Sequence, residues 1–274
     1  MFTLNTKRNL LVAALLLSLT TGARANPAEW ESTVDASQPR PFRNLRPLAA
    51  RYGFGWNGIT AASGDVRVAT ASSGRVEFRV NGGTTGLART LWAYDVKHVA
   101  SVDAQTLRPI DLKEVEQIRS KHVTTNLTFT SDGVTSAREE RKDEKVKAKT
   151  RRFDFPNVQS VNSALLYLRT QPLADGAVHR TVVYPATSAY LCTVTVLGRE
   201  RLTVPTGTYN AVKLDLKLNK IGKERELLPH KKMKKATAWV SDDADRLVLR
   251  IEAQIFIGTV FAELQSIEFD KAKP

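Results

Sequence analysis

Long stretches of this chain change character at every second residue, and that habit restricts what it can fold into. Leu247, Leu249, Ile251, Ala253, Ile255 and Ile257 share one parity, while Arg250, Glu252 and Gln254 hold the other. Val212, Leu214, Leu216 and Leu218 alternate with Lys213, Asp215 and Lys217, and Val76, Phe78 and Val80 alternate with Arg75, Glu77 and Arg79. A period of two places each set on its own side of a strand, so one face is buried and the other wet, as in antiparallel sheets. Turn signals at Asn81-Gly82-Gly83, Asp132-Gly133, Asp175-Gly176 and Thr206-Gly207 separate such runs. About a dozen strands are expected. Only Val161, Leu165 and Leu168 follow a helical spacing, with Asn157 or Ser160 as N-cap. The expected fold is all-β: a single curved or barrel-like antiparallel sheet with one short central helix at about residues 157–170. Curvature is expected because so many strands must manage their edges.

The first 25 residues read as an address. Lys7 and Arg8 precede an apolar run from Leu10 to Leu19, and Ala23-Arg24-Ala25 supplies a signal-peptidase site with cleavage after Ala25. Ten apolar residues are too few to span roughly 30 Å of hydrocarbon, and no later stretch is longer. The mature chain is therefore expected to be exported to the periplasm without a transmembrane segment. Residues 26–47, with Pro27, Pro39, Pro41 and Pro47, read as a loose Pro/Arg-rich lead-in, and residues 48–270 as a single β-rich domain. One cysteine excludes a disulfide within the chain and a cysteine-rich metal cluster.

The formal charge of +13 invites a nucleic-acid reading, so its location matters. Cleavage removes Lys7, Arg8 and Arg24 and leaves +10. Residues 138–152 carry eight basic and four acidic side chains, and residues 213–235 carry nine and three. Those two runs hold the entire excess. No aromatic residues interleave them for base stacking, so nucleic acid is not the expected partner. The runs instead suggest contacts with an anionic envelope component, with Lys231, Lys232, Lys234 and Lys235 as the candidate residues. The competing reading is a pair of solvated hairpin loops.

Catalytic signatures are sparse. Gly53-Phe54-Gly55-Trp56-Asn57-Gly58 satisfies G-x-G-x-x-G but lacks the flanking strand and helix that seat a pyrophosphate, and reads as a glycine-rich strand or turn. Cys192 lies in an apolar-alternating run and reads as a small buried side chain. Asp242, Asp243 and Asp245 are too few for an EF-hand ladder and read as an acidic turn. His98, His122, His179 and His230 are dispersed, so a hydrolase would have to assemble its residues through the fold. No cofactor, metal or catalytic residue is assigned.

The C-terminal half carries a family resemblance. Ser163-Ala164-Leu165-Leu166-Tyr167-Leu168-Arg169 resembles an S-A-L-x-Y-L-R helix, and Gly198-Arg199-Glu200 with Val204-Pro205-Thr206-Gly207-Thr208-Tyr209-Asn210-Ala211-Val212-Lys213 resembles a G-x-E … P-A-G-x-[FY]-x-A-V-K hairpin. Trp239-Val240-Ser241-Asp242-Asp243 with Arg246 is similar to a W-[LV]-S-D-D-x-x-R strand pair, and Thr106-Leu107-Arg108-Pro109 to a T-L-R-P turn. Together these resemble the bacterial exported proteins of the domain-of-unknown-function 3108 family, over roughly residues 48–270. The resemblance implies an exported, β-rich protein and supplies no activity or catalytic residue. Where the family usually has aspartate before the helix, this chain has Ser160. The functional expectation is a non-enzymatic envelope protein that binds a lipid-like ligand or an envelope partner. An interaction module using the basic runs is the first alternative, and a hydrolase with dispersed residues the second.

Overall fold

The computed structural model describes residues 28–35, 46–71, 73–231, 233–256 and 258–270, with Lys234 described by its backbone alone. The proposed signal sequence lies outside the described residues. Eight strands follow one another as an antiparallel meander: β1 (Leu48–Trp56), β2 (Ile59–Ala71), β3 (Arg75–Thr84), β4 (Tyr94–Asp103), β5 (Pro109–Ile118), β6 (Lys121–Thr130), β7 (Gly133–Lys142) and β8 (Lys145–Asp154). A short helix, α1 (Gly86–Leu91), interrupts β3 and β4. Helix α2 (Val161–Thr170) comes next. Then come β9 (Val178–Val183), β10 (Tyr190–Val204), β11 (Gly207–Ile221), β12 (Leu227–Pro229), β13 (Met233–Ser241), β14 (Val248–Ile255) and β15 (Gly258–Phe269).

All the named strands join one sheet in the order β8-β7-β6-β5-β4-β3-β2-β1-β15-β14-β13-β11-β10-β9, with β12 on β11. First and last strands pair in its middle, Leu48 opposite Phe269. The free edges are therefore β8 and β9, strands adjacent in sequence but not in the sheet. What lies between them is the segment that carries α2. Gln159 makes a parallel bridge with Val183, its amide donating to the Val182 carbonyl at 2.8 Å and its carbonyl accepting from the Tyr184 amide at 2.9 Å. Ser136 Oγ donates to the Ala186 carbonyl at 2.7 Å. The sheet is curled but not closed, and a helix-bearing segment covers the seam where a barrel would have a further strand pair.

Alternation explains the core. Val76 and Phe78, Ala100 and Val102, Leu112, Val123 and Leu127, and Val134 are buried from successive strands of the meander. Leu166 of α2, fully buried, joins Phe155, Val158, Val182 and Tyr184 in the same cluster. A second cluster forms where Leu168, Leu173 and Ala177 meet Val194, Val196, Val212, Leu214, Ala238 and Val240. The apolar side of the curl is thus filled by the helix and its flanks.

Two local features depart from the expectation. The structure has a second helix, α1, which at six residues is too short to display a period. It also has fifteen strands among the described residues where about a dozen were expected. In the lead-in, Glu29–Thr33 forms a 3-10 turn whose Trp30 stacks on Phe155 at 5.6 Å and donates Nε1–H to the Arg225 carbonyl at 2.7 Å. One aromatic side chain anchors a segment whose composition reads as loose. Nearby, the Asp35 amide donates to the Arg180 carbonyl at 2.8 Å, and the Asp35 carboxylate lies 3.4 Å from His179 Nδ1.

That last contact is pH-dependent. The Asp35 carboxylate raises His179 above its ordinary value of 6.5, opposed by burial. The contact is therefore complete below about pH 6.5 and fades as pH rises through the folded value. Hydrogen exchange at the Asp35 amide should accelerate between about pH 6 and 8 by more than in His179→Gln. Equal pH profiles for the two proteins would remove His179 from this role.

Candidate functional site

Polar side chains gather at one place on the buried side of the sheet. Tyr94 and His98 share the parity of Ala100 and Val102 on β4, and Glu114 and Glu116 that of Leu112 on β5. Arg138 shares the parity of Val134 and Ser136 on β7. His98 Nδ1 lies 3.3 Å from Glu114 Oε2, and its Nε2 lies 2.9 Å from Asn162 Oδ1 at the start of α2. Tyr94 donates its hydroxyl to Glu116 at 3.0 Å, and Arg138 lies 3.6 Å from the same carboxylate while donating to Thr125 Oγ1 at 3.1 Å. Burial and the Glu116 charge push the Tyr94 phenol well above its ordinary range, so it is a donor at any physiological pH.

This arrangement ties the start of α2 to β4 and β5. In a nucleophile–histidine–carboxylate site the ring nitrogen opposite the acid takes the nucleophile's proton. Here an amide oxygen of α2 occupies that position. His98 therefore receives the helix N-terminus while Glu114 fixes its ring.

The other end of α2 is held by a second polar node. Arg169, largely buried, donates to the Asp245 carbonyl, and Arg246 donates to the Arg169 carbonyl at 2.8 Å and to the Gln171 carbonyl. Asp243 Oδ1 accepts from Ser241 Oγ at 2.7 Å, the Asp245 amide at 2.9 Å and the Arg246 amide at 3.0 Å. Tyr52 donates to the Val248 carbonyl at 2.8 Å. Burial pushes the Tyr52 phenol up to about 12 and lowers Arg169 to about 10, which leaves the guanidinium charged. The three aspartates thus form a turn whose carboxylates serve the protein itself: Asp242 pairs with Arg199 and Asp245 with Arg46.

The remaining sequence candidates fall as follows. Gly53–Gly58 is the end of β1 and its turn into β2. A Cβ on Gly55 would meet the Ile59 carbonyl at 2.2 Å, and Gly58 has φ of +81°. Strand crowding and a left-handed turn therefore account for both glycines. Cys192 is on β10, and burial pushes its thiol up to about 11, too high for a thiolate nucleophile at neutral pH. His122 lies 3.2 Å from Gln117, and His230 accepts from the Met233 amide at 2.9 Å. Lys231 is exposed between β12 and β13, and Lys235 is exposed on β13; Lys232 and the Lys234 side chain lie outside the described residues. The 138–152 run is the β7–β8 hairpin. Lys145, Lys147 and Lys149 point to one side of β8, opposite Lys142, Glu140 and Arg138 of β7. All three are exposed and make no ion pair among the described residues.

The family profile described as "Protein of unknown function (DUF3108)" matches residues 50–265. The chain belongs to this family. In this DUF3108 member the S-A-L-x-Y-L-R helix and the S-D-D-x-x-R turn, far apart in sequence, are the two partners of the Arg169–Arg246 node. Both motifs meet through these hydrogen bonds. Ser160 is the N-cap of α2: its Oγ accepts from the Ser163 amide at 3.1 Å, and Ser163 Oγ accepts from the Ser160 amide at 2.9 Å. Serine is among the strongest N-cap residues, so this side chain fixes where the helix starts. Ser160→Ala should cost about 1 kcal/mol and lower Tm by roughly 2–4 °C in a domain of this size. An unchanged melting curve would show that the cap contributes nothing.

Among solved structures, the chain resembles a beta-barrel-like DUF1849 protein from Brucella abortus, with a TM-score of 0.54, 11% identity, and coverage of 84% of this chain and 100% of that one. This likeness supports the fold. An exported-protein candidate with a YmcC-like fold from Bacteroides fragilis matches with a TM-score of 0.36 and 10% identity over 85% of this chain and 99% of its own. No functionally curated protein matches the chain significantly.

Sequence reading missed Tyr94, Glu114 and Glu116, and counted Arg138 only as part of the 138–152 basic run. The signal was present: carboxylates at 114 and 116 continue the parity of Leu112, so they face inward unless the strand ends.

Proposed function

We propose that this DUF3108 member is a non-enzymatic periplasmic module of the cell envelope that holds an anionic envelope component on the lysine side of β8. The observation that carries the reading is the row Lys145, Lys147 and Lys149: three exposed, unpaired cations spaced two residues apart on a free sheet edge. Strands bring alternate side chains about 7 Å apart on one side, a spacing suited to successive phosphate or carboxylate groups. Export is supported by Lys7-Arg8, the Leu10–Leu19 run and Ala23-Arg24-Ala25. A lipid-like ligand buried in the apolar interior is less well supported, because Leu166, Phe155 and Tyr184 occupy that side. A non-enzymatic role is supported by His98, whose ring is committed to Glu114 and Asn162, and by the high pKa of Cys192.

The run at 213–235 gives a second version of the same reading, since Lys231 and Lys235 are exposed there. Titration of the mature protein with lipopolysaccharide at several salt concentrations separates the two. Lys145→Gln/Lys147→Gln/Lys149→Gln should weaken binding at least about tenfold and flatten its salt dependence. Neutralising Lys231, Lys232, Lys234 and Lys235 should do less. The reverse ranking would move the site to the second run, and no effect from either set would reject an electrostatic role.

A further inference from the structure

The strand ends on one rim of the sheet carry bulky apolar side chains where turns are ordinarily polar. Phe54 and Trp56 end β1, Ile59 begins β2, Leu87 and Leu91 lie on α1, Trp92 follows it, and Phe256 sits in the β14–β15 turn. All are exposed, Leu87 and Phe256 by about three-quarters of their surface (76% and 75%). Every exposed large aromatic among the described residues is in this set; the exposed large hydrophobics elsewhere are aliphatic.

The group is contiguous because its turns are neighbours in the sheet. Trp56 pairs with Ile59 on one side and Val260 on the other, and the Asn57 amide donates to the Thr259 carbonyl at 2.8 Å. The Thr85 amide donates to the Ala61 carbonyl at 2.9 Å, which sets α1 beside the start of β2. Arg119, in the β5–β6 turn, donates to the Leu91 carbonyl at 2.8 Å, and its guanidinium lies 4.5 Å from the Trp92 ring centre. Aromatic and aliphatic residues thus form a crest at the strand ends with arginine laid against it.

We infer that this rim seats on an anionic phospholipid bilayer. A crest made of separate turn tips presents a surface for a plane, not a groove for a segment. Tryptophan, phenylalanine and leucine with adjacent cations are the composition that partitions into the headgroup boundary. The cations fit an anionic surface: Arg119 stands on the crest, Lys142 and Lys145 lie at the tip of the next hairpin, and Lys235 is near the start of the strand beside β14. Depth is limited by the outer face of the sheet, where Arg51 pairs with Asp65 at 2.7 Å, Arg67 with Asp270 at 3.0 Å and Arg79 with Glu77 at 3.0 Å. A face so charged excludes insertion of the strands themselves. The rim therefore rests in the interface and does not span. It shares only Lys145 with the β8 row, and its apolar residues are all distinct from that row, so the apolar rim variant tests membrane seating separately from capture of an anionic component on β8.

The test uses the mature protein and vesicles of equal parts phosphatidylcholine and phosphatidylglycerol. Co-sedimentation is expected, with a blue shift of tryptophan emission and quenching by brominated lipid, because Trp56 and Trp92 lie on the rim. Leu87→Glu/Leu91→Glu/Phe256→Glu should lower partitioning at least tenfold with an unchanged far-ultraviolet spectrum and melting temperature. Leu197→Glu, an exposed leucine away from the rim, should not change it. Binding that is lost in the β8 lysine variant but kept in the rim variant would overturn the rim while sparing the lysine site. Absence of vesicle binding, or binding without quenching, would overturn it as well.

Discussion

Arg169→Ala is expected to destabilise the protein by about 3 kcal/mol, lowering Tm by roughly 6–12 °C. The side chain is a buried cation that donates to the Asp245 carbonyl, and its own carbonyl receives Arg246. Truncation leaves the Asp245 carbonyl short of a charged donor and opens the space taken by the arginine stem. Arg169→Lys should recover little. An ammonium keeps the charge but not the planar fork that reaches a carbonyl beside Tyr52 and the Asp243 turn. The contrast separates charge from geometry: full recovery by lysine would mean that the node is held by net charge alone. Thermal melting of the three proteins decides it. The loss should be specific to the C-terminal end of α2, so protection of the Leu168 and Thr170 amides should fall before that of β1 or β15.

How much of this was legible follows from the range of each interaction. A two-residue period is a local signal, and it located strands such as β3, β11 and β14, although β14 ends at Ile255 and Ile257 lies outside the described residues, because each buries one side against its neighbours. Ser160 was legible for the same reason, since a cap acts over three residues. Helix α1 was not, because six residues make less than two turns. The sequence resemblance picked out both halves of the Arg169–Arg246 node without showing that they touch across 77 positions. His98 and Asn162, 64 residues apart, meet only because α2 crosses from β4 to the β13–β14 turn. The lysines were counted correctly as two runs, yet a charge count carries no parity. Only the pairing of β7 with β8 shows that Lys145, Lys147 and Lys149 share one side. Trp30 and the crest residues were hidden differently. A single aromatic in a polar segment gives no period, and whether it docks or stays exposed is decided by distant strands.

Leu166→Ala should have the largest effect, about 3–5 kcal/mol, or roughly 6–20 °C in Tm. Leu166 is fully buried on α2 and shares the core cluster with Phe155, Val158, Val182 and Tyr184, the residues flanking both free sheet edges. A ten-residue helix is marginal on its own. Its persistence depends on this packing and on the polar holds at its two ends. Removing the leucine side chain therefore leaves a cavity at the place where the curl lacks a strand pair. The consequence should extend beyond Tm. Loosening α2 exposes the β8 and β9 edges, and unpaired strand edges associate. Leu166→Ala should accordingly form oligomers on warming below its melting transition, visible by light scattering. Leu166→Met, which keeps the volume, should cost less than about 1.5 kcal/mol and remain monodisperse. Val161→Ala, on the exposed start of the same helix, should change neither property. If Leu166→Ala melted early yet stayed monodisperse, the seam would be sealed by the Gln159–Val183 bridge rather than by the helix.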